Sequence, residues 1–211
     1  MRALFLVLLV AASCGRNEAE GDSSSARAPS DTDREQARFD ADRRPEKVVE
    51  ALGIHPGSKV ADIGAGSGLL TVHLARAVRP SGRVVATDID GEVLDLLQSR
   101  LKAAHLADLV ERRVVNADQP GLEPATYDAI LLAEVDHLLS DEVGWLREAT
   151  KALKPGGRIV ISNKIYHRQK SMAAAQRAGL RLQSESTPVP THFIAVFIAT
   201  PPGGATPAGG K

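Results

Sequence analysis

Two apolar rhythms alternate along the middle of this chain. Short runs rich in Val, Ile, Leu and Ala read as strands: 60–63, 83–87, 109–115, 127–133 and 158–162. Between them apolar residues fall three or four apart, the spacing of a single buried helix face. Val48, Val49 and Leu52 mark the first such face, opened by Pro45 and closed by Gly53. Leu70, Leu74 and Val78 mark the second, and Val93, Leu97 and Leu101 the third. Val143, Leu146, Ala149 and Leu153 form a fourth stripe, for which Ser140 is the expected N-cap and Pro155-Gly156 the stop. A short helix over 169–178 follows, and then two strands, 180–185 and 193–199, joined through Pro188 and Pro190. Regular alternation of strand and helix predicts an α/β fold with a doubly wound sheet.

The ends are built differently. Met1-Arg2 and the apolar run 3–12 precede Ala11-Ala12-Ser13-Cys14. The run is too short to span a bilayer and has the shape of a secretory signal. Ala-Ala-Ser-Cys resembles a bacterial lipoprotein processing site, which implies a leader over 1–13 and a lipid anchor on Cys14. That resemblance implies a membrane-anchored protein facing the periplasm; an uncleaved apolar start implies a cytoplasmic one. Residues 14–43 are polar and poor in apolar side chains, and are expected to form a disordered tether. Residues 44–200 are expected to fold, and 201–211, rich in Pro, Gly and Ala, to form a frayed tail.

Composition narrows the partners. The 211 residues carry 26 Lys+Arg against 26 Asp+Glu, so no global charge draws the chain to nucleic acid. Aromatic residues at 3% leave few platforms for stacking bases. A single cysteine and scattered histidines support neither a disulfide framework nor a metal site. Nucleic acid is therefore not an expected partner.

The chemistry concentrates in Val60-Ala61-Asp62-Ile63-Gly64-Ala65-Gly66-Ser67-Gly68. A strand, a glycine-rich bend and a helix start make a corner that accepts a nucleotide. Glycine lets the backbone come close to a ligand, and a helix start offers unpaired N–H groups. A dinucleotide fingerprint needs a small third residue where Leu69 stands. Asp88 follows the second strand at the distance where a parallel βαβ unit offers a carboxylate to ribose hydroxyls, with Asp90 competing as a helix cap.

This arrangement resembles class I S-adenosylmethionine-dependent methyltransferases, of the type acting on small molecules. Asp62 before the glycines, Asp88 after strand two, Asp118 after strand three, Glu134-Val135-Asp136-His137 after strand four and Leu153-Lys154-Pro155-Gly156-Gly157 before strand five carry the likeness. The resemblance implies a Rossmann-like seven-stranded sheet of order 3-2-1-4-5-7-6, strand seven antiparallel. It implies S-adenosyl-L-methionine as cofactor, bordered by Asp62, Gly64, Ala65, Gly66, Gly68, Asp88, Ile89, Asp118 and Glu134. Asp88 would accept from the ribose, Asp118 from the adenine amino group, and Ile89 would pack on adenine. His137 is the candidate base, with Asp136 second; Tyr166, His167 and His192 are candidates to line the acceptor site. A nicotinamide-dependent oxidoreductase and a non-catalytic nucleoside-binding module are the competing readings, the first opposed by Leu69.

Overall fold

The computed structural model describes residues 30–199. The leader, Cys14, the spacer as far as residue 29 and the tail from 201 lie outside the described residues. Strands β1 (Lys59–Ile63), β2 (Arg83–Asp88), β3 (Val110–Val114), β4 (Tyr127–Ala133) and β5 (Leu153–Lys164) run parallel, and β6 (Leu180–Val189) and β7 (His192–Ala199) complete the sheet. The order is β3-β2-β1-β4-β5-β7-β6, and β7 is antiparallel to both neighbours. This is the order expected from the sequence. The order reverses between β1 and β4, and in such sheets ligands bind beyond the strand C-termini at that point.

Side chains alternate across each strand. Val60, Val84, Leu131 and Val160 face one layer, closed by α2 (Pro45–Leu52), α3 (Thr71–Val78) and α4 (Gly91–Ala103). Ala61, Val85, Ile130 and Ile161 face the other, closed by α5 (Glu142–Ala152) and α6 (Arg168–Arg177). Leu74 and Leu97 are fully buried in the first layer and Leu146 in the second. Each such side chain contributes about 1.5–3 kcal/mol.

Two expectations need correction. Residues 31–43, assigned to a disordered tether, form a helix, α1 (Asp31–Arg43). Its start is fixed by a capping box, in which Ser30 Oγ accepts the Asp33 N–H and Asp33 accepts the Ser30 N–H. No residue of α1 is buried, so an apolar pattern had nothing to reveal. Polar contacts hold it, beside the half-buried Phe39: Gln36 Nε2 donates to Leu69 O at 2.9 Å, His73 meets Asp40 at 2.8 Å, and Arg100 pairs with Glu35 at 2.5 Å. The second correction concerns α5, whose N-cap is Asp141, accepting the Gly144 N–H at 2.9 Å. Ser140 donates to Asp118 instead.

Candidate functional site

The corner after β1 has the backbone that the glycines were expected to permit. Gly64, Gly66 and Gly68 have φ of +65°, +54° and +83°, in the left-handed region. A Cβ on Gly64 would lie 2.8 Å from Val135, and one on Gly68 would lie 2.7 Å from Leu97. A Cβ on Gly66 would meet nothing within 4 Å. Two of the glycines thus fit against the protein, and the third borders open space.

Asp88 closes the corner from the tip of β2. Its Oδ2 accepts the Gly66 N–H at 2.9 Å and its Oδ1 accepts the Asp90 N–H at 3.1 Å. Asp90, not Asp88, caps α4, accepting from Glu92 and Val93. Asp88 is therefore half-buried at the cleft rather than committed to the helix.

Two cavities meet at Gly64, Ala133 and Glu134. The larger, about 270 Å³, is bordered by Asp88, Ile89, Val115, Ala117, Leu138 and Trp145. The smaller, about 160 Å³, is bordered by Asp62, Ala65, Gly66, Leu70, Phe39 and Arg43. Together they fall within the ~300–1,000 Å³ typical of small-molecule sites. A roomier, shallow groove of about 640 Å³ lies between α2 and β6, lined by Lys47, Glu50, Arg158 and the β6 hydroxyls. It is remote from the topological reversal and from the glycine bend, so volume alone does not mark the site.

The larger lobe is apolar and open. Ile89 and Leu138 are 64% and 70% exposed, unusual for such side chains unless something covers them. Thr87 Oγ1 is buried beside the same lobe with no hydrogen-bond partner. The smaller lobe is ionic. Asp62 is 2% exposed and its Oδ2 accepts from Thr71 Oγ1 at 2.7 Å. Burial pushes this carboxyl up to about 6, against the pull of the Thr71 hydroxyl and with help from the Asp88 charge. Arg43, the last residue of α1, pairs with Glu134, and its Nε–H is buried without a partner.

Glu134 joins the lobes. It has φ +55°, a conformation costing a non-glycine residue about 1–3 kcal/mol, held by its N–H donating to Ser162 O at 2.8 Å. Besides Arg43, Lys164 Nζ lies 3.8 Å and His192 Nε2 3.4 Å from its carboxylate.

Other expected site residues are placed elsewhere. Asp118 is exposed and accepts from Ser140 Oγ at 2.5 Å, while its neighbours Asn116, Ala117 and Gln119 border the larger lobe. Asp136 is fully buried, with one oxygen accepting from Asn163 Nδ2 and the other from Ser171 Oγ. It ties β4 to β5 and α6 and borders neither lobe, because the single 3₁₀ turn 136–138 directs it inward. His137 borders neither lobe either; it stacks on His167 at 4.0 Å and meets Asn163 Nδ2 at 2.9 Å. Burial and the His167 charge lower its basicity. Tyr166 and Lys170 have the Tyr-x-x-x-Lys spacing that short-chain dehydrogenases carry. They do not act as such a pair: Tyr166 packs on His167, and Lys170 reaches His137 O at 3.2 Å and Glu142 at 3.6 Å. Among the described residues no cluster of three or more His, Cys, Asp or Glu is placed to hold a metal ion, and no helix is long and apolar enough to cross a membrane.

A family model described as a methyltransferase domain matches residues 61–159, from the strand before the glycine bend to β5. The match spans just under half of the chain, which is thus similar to methyltransferase domains over that stretch. The chain is similar to the ubiquinone/menaquinone biosynthesis C-methyltransferase UbiE of Hahella chejuensis, with 31% identity over 54% of this chain and 46% of that protein. The UbiE of Cronobacter sakazakii matches at 31% identity over 54% and 45%. The chain thus spans about half the length of these relatives. A solved SAM-dependent methyltransferase from Aquifex aeolicus shares the fold, with TM-score 0.69 and 22% identity over 80% of this chain and 98% of that one. The two lobes fit S-adenosylmethionine, the donor named for the Aquifex neighbour, on physical grounds. An apolar, half-open lobe suits an adenine, the Asp88 carboxylate suits vicinal hydroxyls, and an ionic lobe with an orphaned Arg43 donor suits an amino-acid end.

Proposed function

We propose that this domain binds S-adenosylmethionine across the two lobes and transfers its methyl group to a small-molecule acceptor. The observation that carries this reading is the 2.9 Å contact between Asp88 and the Gly66 N–H, which sets a carboxylate and a side-chain-free backbone wall at the junction of an apolar and an ionic lobe. When bound, the donor supplies a methyl carbon already activated by a positive sulfur. The residues then bind and orient. Asp88 accepts from ribose hydroxyls, and Ile89 and Leu138 cover the adenine faces. Asp62 takes the ammonium, and Arg43 the carboxylate, of the amino-acid end. Glu134 holds negative charge where the lobes meet. Such a reaction needs proximity and orientation above all, which fixed backbone and buried ionic partners supply.

Calorimetry tests the reading. S-adenosylmethionine is expected to bind in the micromolar range and NAD not at all. Asp88→Ala is expected to weaken donor binding by about 1.5–3 kcal/mol, the range for a hydrogen bond to a charged group. Binding of NAD alone would overturn the assignment, and unchanged donor affinity in the variant would remove Asp88 from the site.

A further inference from the structure

Lys164 and His192 face each other across the β5–β7 ladder, and both reach toward Glu134. Neither borders the lobes assigned above to the donor. Both approach Glu134, which borders the two lobes.

Hydrogen-bonding capacity is left over at Lys164 Nζ and at His192 Nε2. Lys164 Nζ, at 3.8 Å from Glu134, is too far for a hydrogen bond, and its side chain is 46% exposed and reachable. His192 has a side chain only 10% exposed, and its Nε2 has no hydrogen-bond partner. Nδ1 lies 2.8 Å from Thr191 Oγ1. With a carboxylate facing Nε2, the tautomer that avoids lone-pair repulsion accepts the Thr191 hydroxyl at Nδ1 and carries its hydrogen on Nε2. Burial and the charges of Arg43 and Lys164 push His192 down to about 4, so it is a neutral donor at neutral pH. Directly after Lys164 come Ile165 and Tyr166, 40% and 70% exposed.

We propose that the methyl acceptor is a small organic acid: its oxyanion is received by Lys164, with His192 Nε2 behind, and its apolar body lies on Ile165 and Tyr166. This rests on the donor assignment above, since only a filled donor cleft makes this neighbouring space an acceptor site. Lys164 is the specificity-determining residue and His192 its buried second donor.

The test uses the full chain saturated with S-adenosylhomocysteine, titrated by ligand-observed NMR with benzoate and with its uncharged isostere benzamide. Benzoate is expected to bind saturably, with benzamide about tenfold weaker or worse, as befits a charge-assisted contact. Lys164→Ala is expected to weaken benzoate about tenfold while Lys164→Arg retains it, with S-adenosylhomocysteine affinity kept in both variants. Equal binding of benzamide, or no loss in Lys164→Ala, overturns the acid acceptor. So does an absence of benzoate binding to protein that holds S-adenosylhomocysteine. A protein that binds no S-adenosylhomocysteine overturns the methyltransferase reading itself and this inference with it, so the two failures are told apart in the first titration.

Discussion

Asp62 shows what a charged ligand exacts from a fold. Its folded carboxyl titrates at about 6, above the ordinary carboxylate range, because burial disfavours the ion. A raised acid favours the folded state while it stays protonated. That contribution is complete below the unfolded value and is lost as pH rises through about 6. Asp62→Asn is therefore expected to stabilise the protein by about 1–2 kcal/mol at pH 7.5, a gain that shrinks below pH 5. Thermal unfolding at the two pH values checks it. Donor affinity has the opposite requirement, since a cation needs the ionised form, and calorimetry from pH 8 to pH 5 is expected to show affinity falling through about pH 6. Gly68 is constrained by shape instead. At φ +83°, with an added Cβ 2.7 Å from Leu97, Gly68→Ala is expected to cost about 2–4 kcal/mol in denaturant unfolding. At this scale the sequence was informative where backbone chemistry decided the outcome. The glycines and Asp88 were legible because spacing after a strand fixes where they must lie. Asp118 and Asp136 were not, because a loop or a single 3₁₀ turn sends adjacent residues in opposite directions, and no periodicity records which one.

Elements built on burial could be read from the chain, and α1 could not. Helices α2 to α5 each present an apolar stripe to the sheet, and those stripes are visible as spacing. Helix α1 has no fully buried residue and packs on the core through Phe39 alone, yet it places Phe39 and Arg43 on the smaller lobe. The available signals were Ser30 followed by Asp33, a capping box, and the i,i+4 spacing of Phe39 and Arg43. Ser30→Ala is expected to remove about 1 kcal/mol of helix stability. Amide exchange should then speed up within 31–36 while the global unfolding midpoint holds, because no core residue is lost.

For the whole molecule, the strand order followed from alternation and parallel crossovers, which leave few topologies. The meeting of Arg43, Glu134, Lys164 and His192 did not follow, since it brings together α1, β4, β5 and β7 from across the chain. Metabolic labelling with palmitate is expected to mark Cys14 and to be lost in Cys14→Ala, with the native protein in the membrane fraction. An unlabelled protein in the cytosolic fraction would remove the lipid anchor.

A helix fastened by Glu35–Arg100, Asp40–His73 and Arg43–Glu134, with only Phe39 touching the apolar interior, answers to electrolytes more than to heat. Concentrated salt is thus expected to peel it back and quicken the escape of spent donor long before the sheet melts. Retention of the cofactor would then follow the ionic composition of whichever compartment the domain occupies.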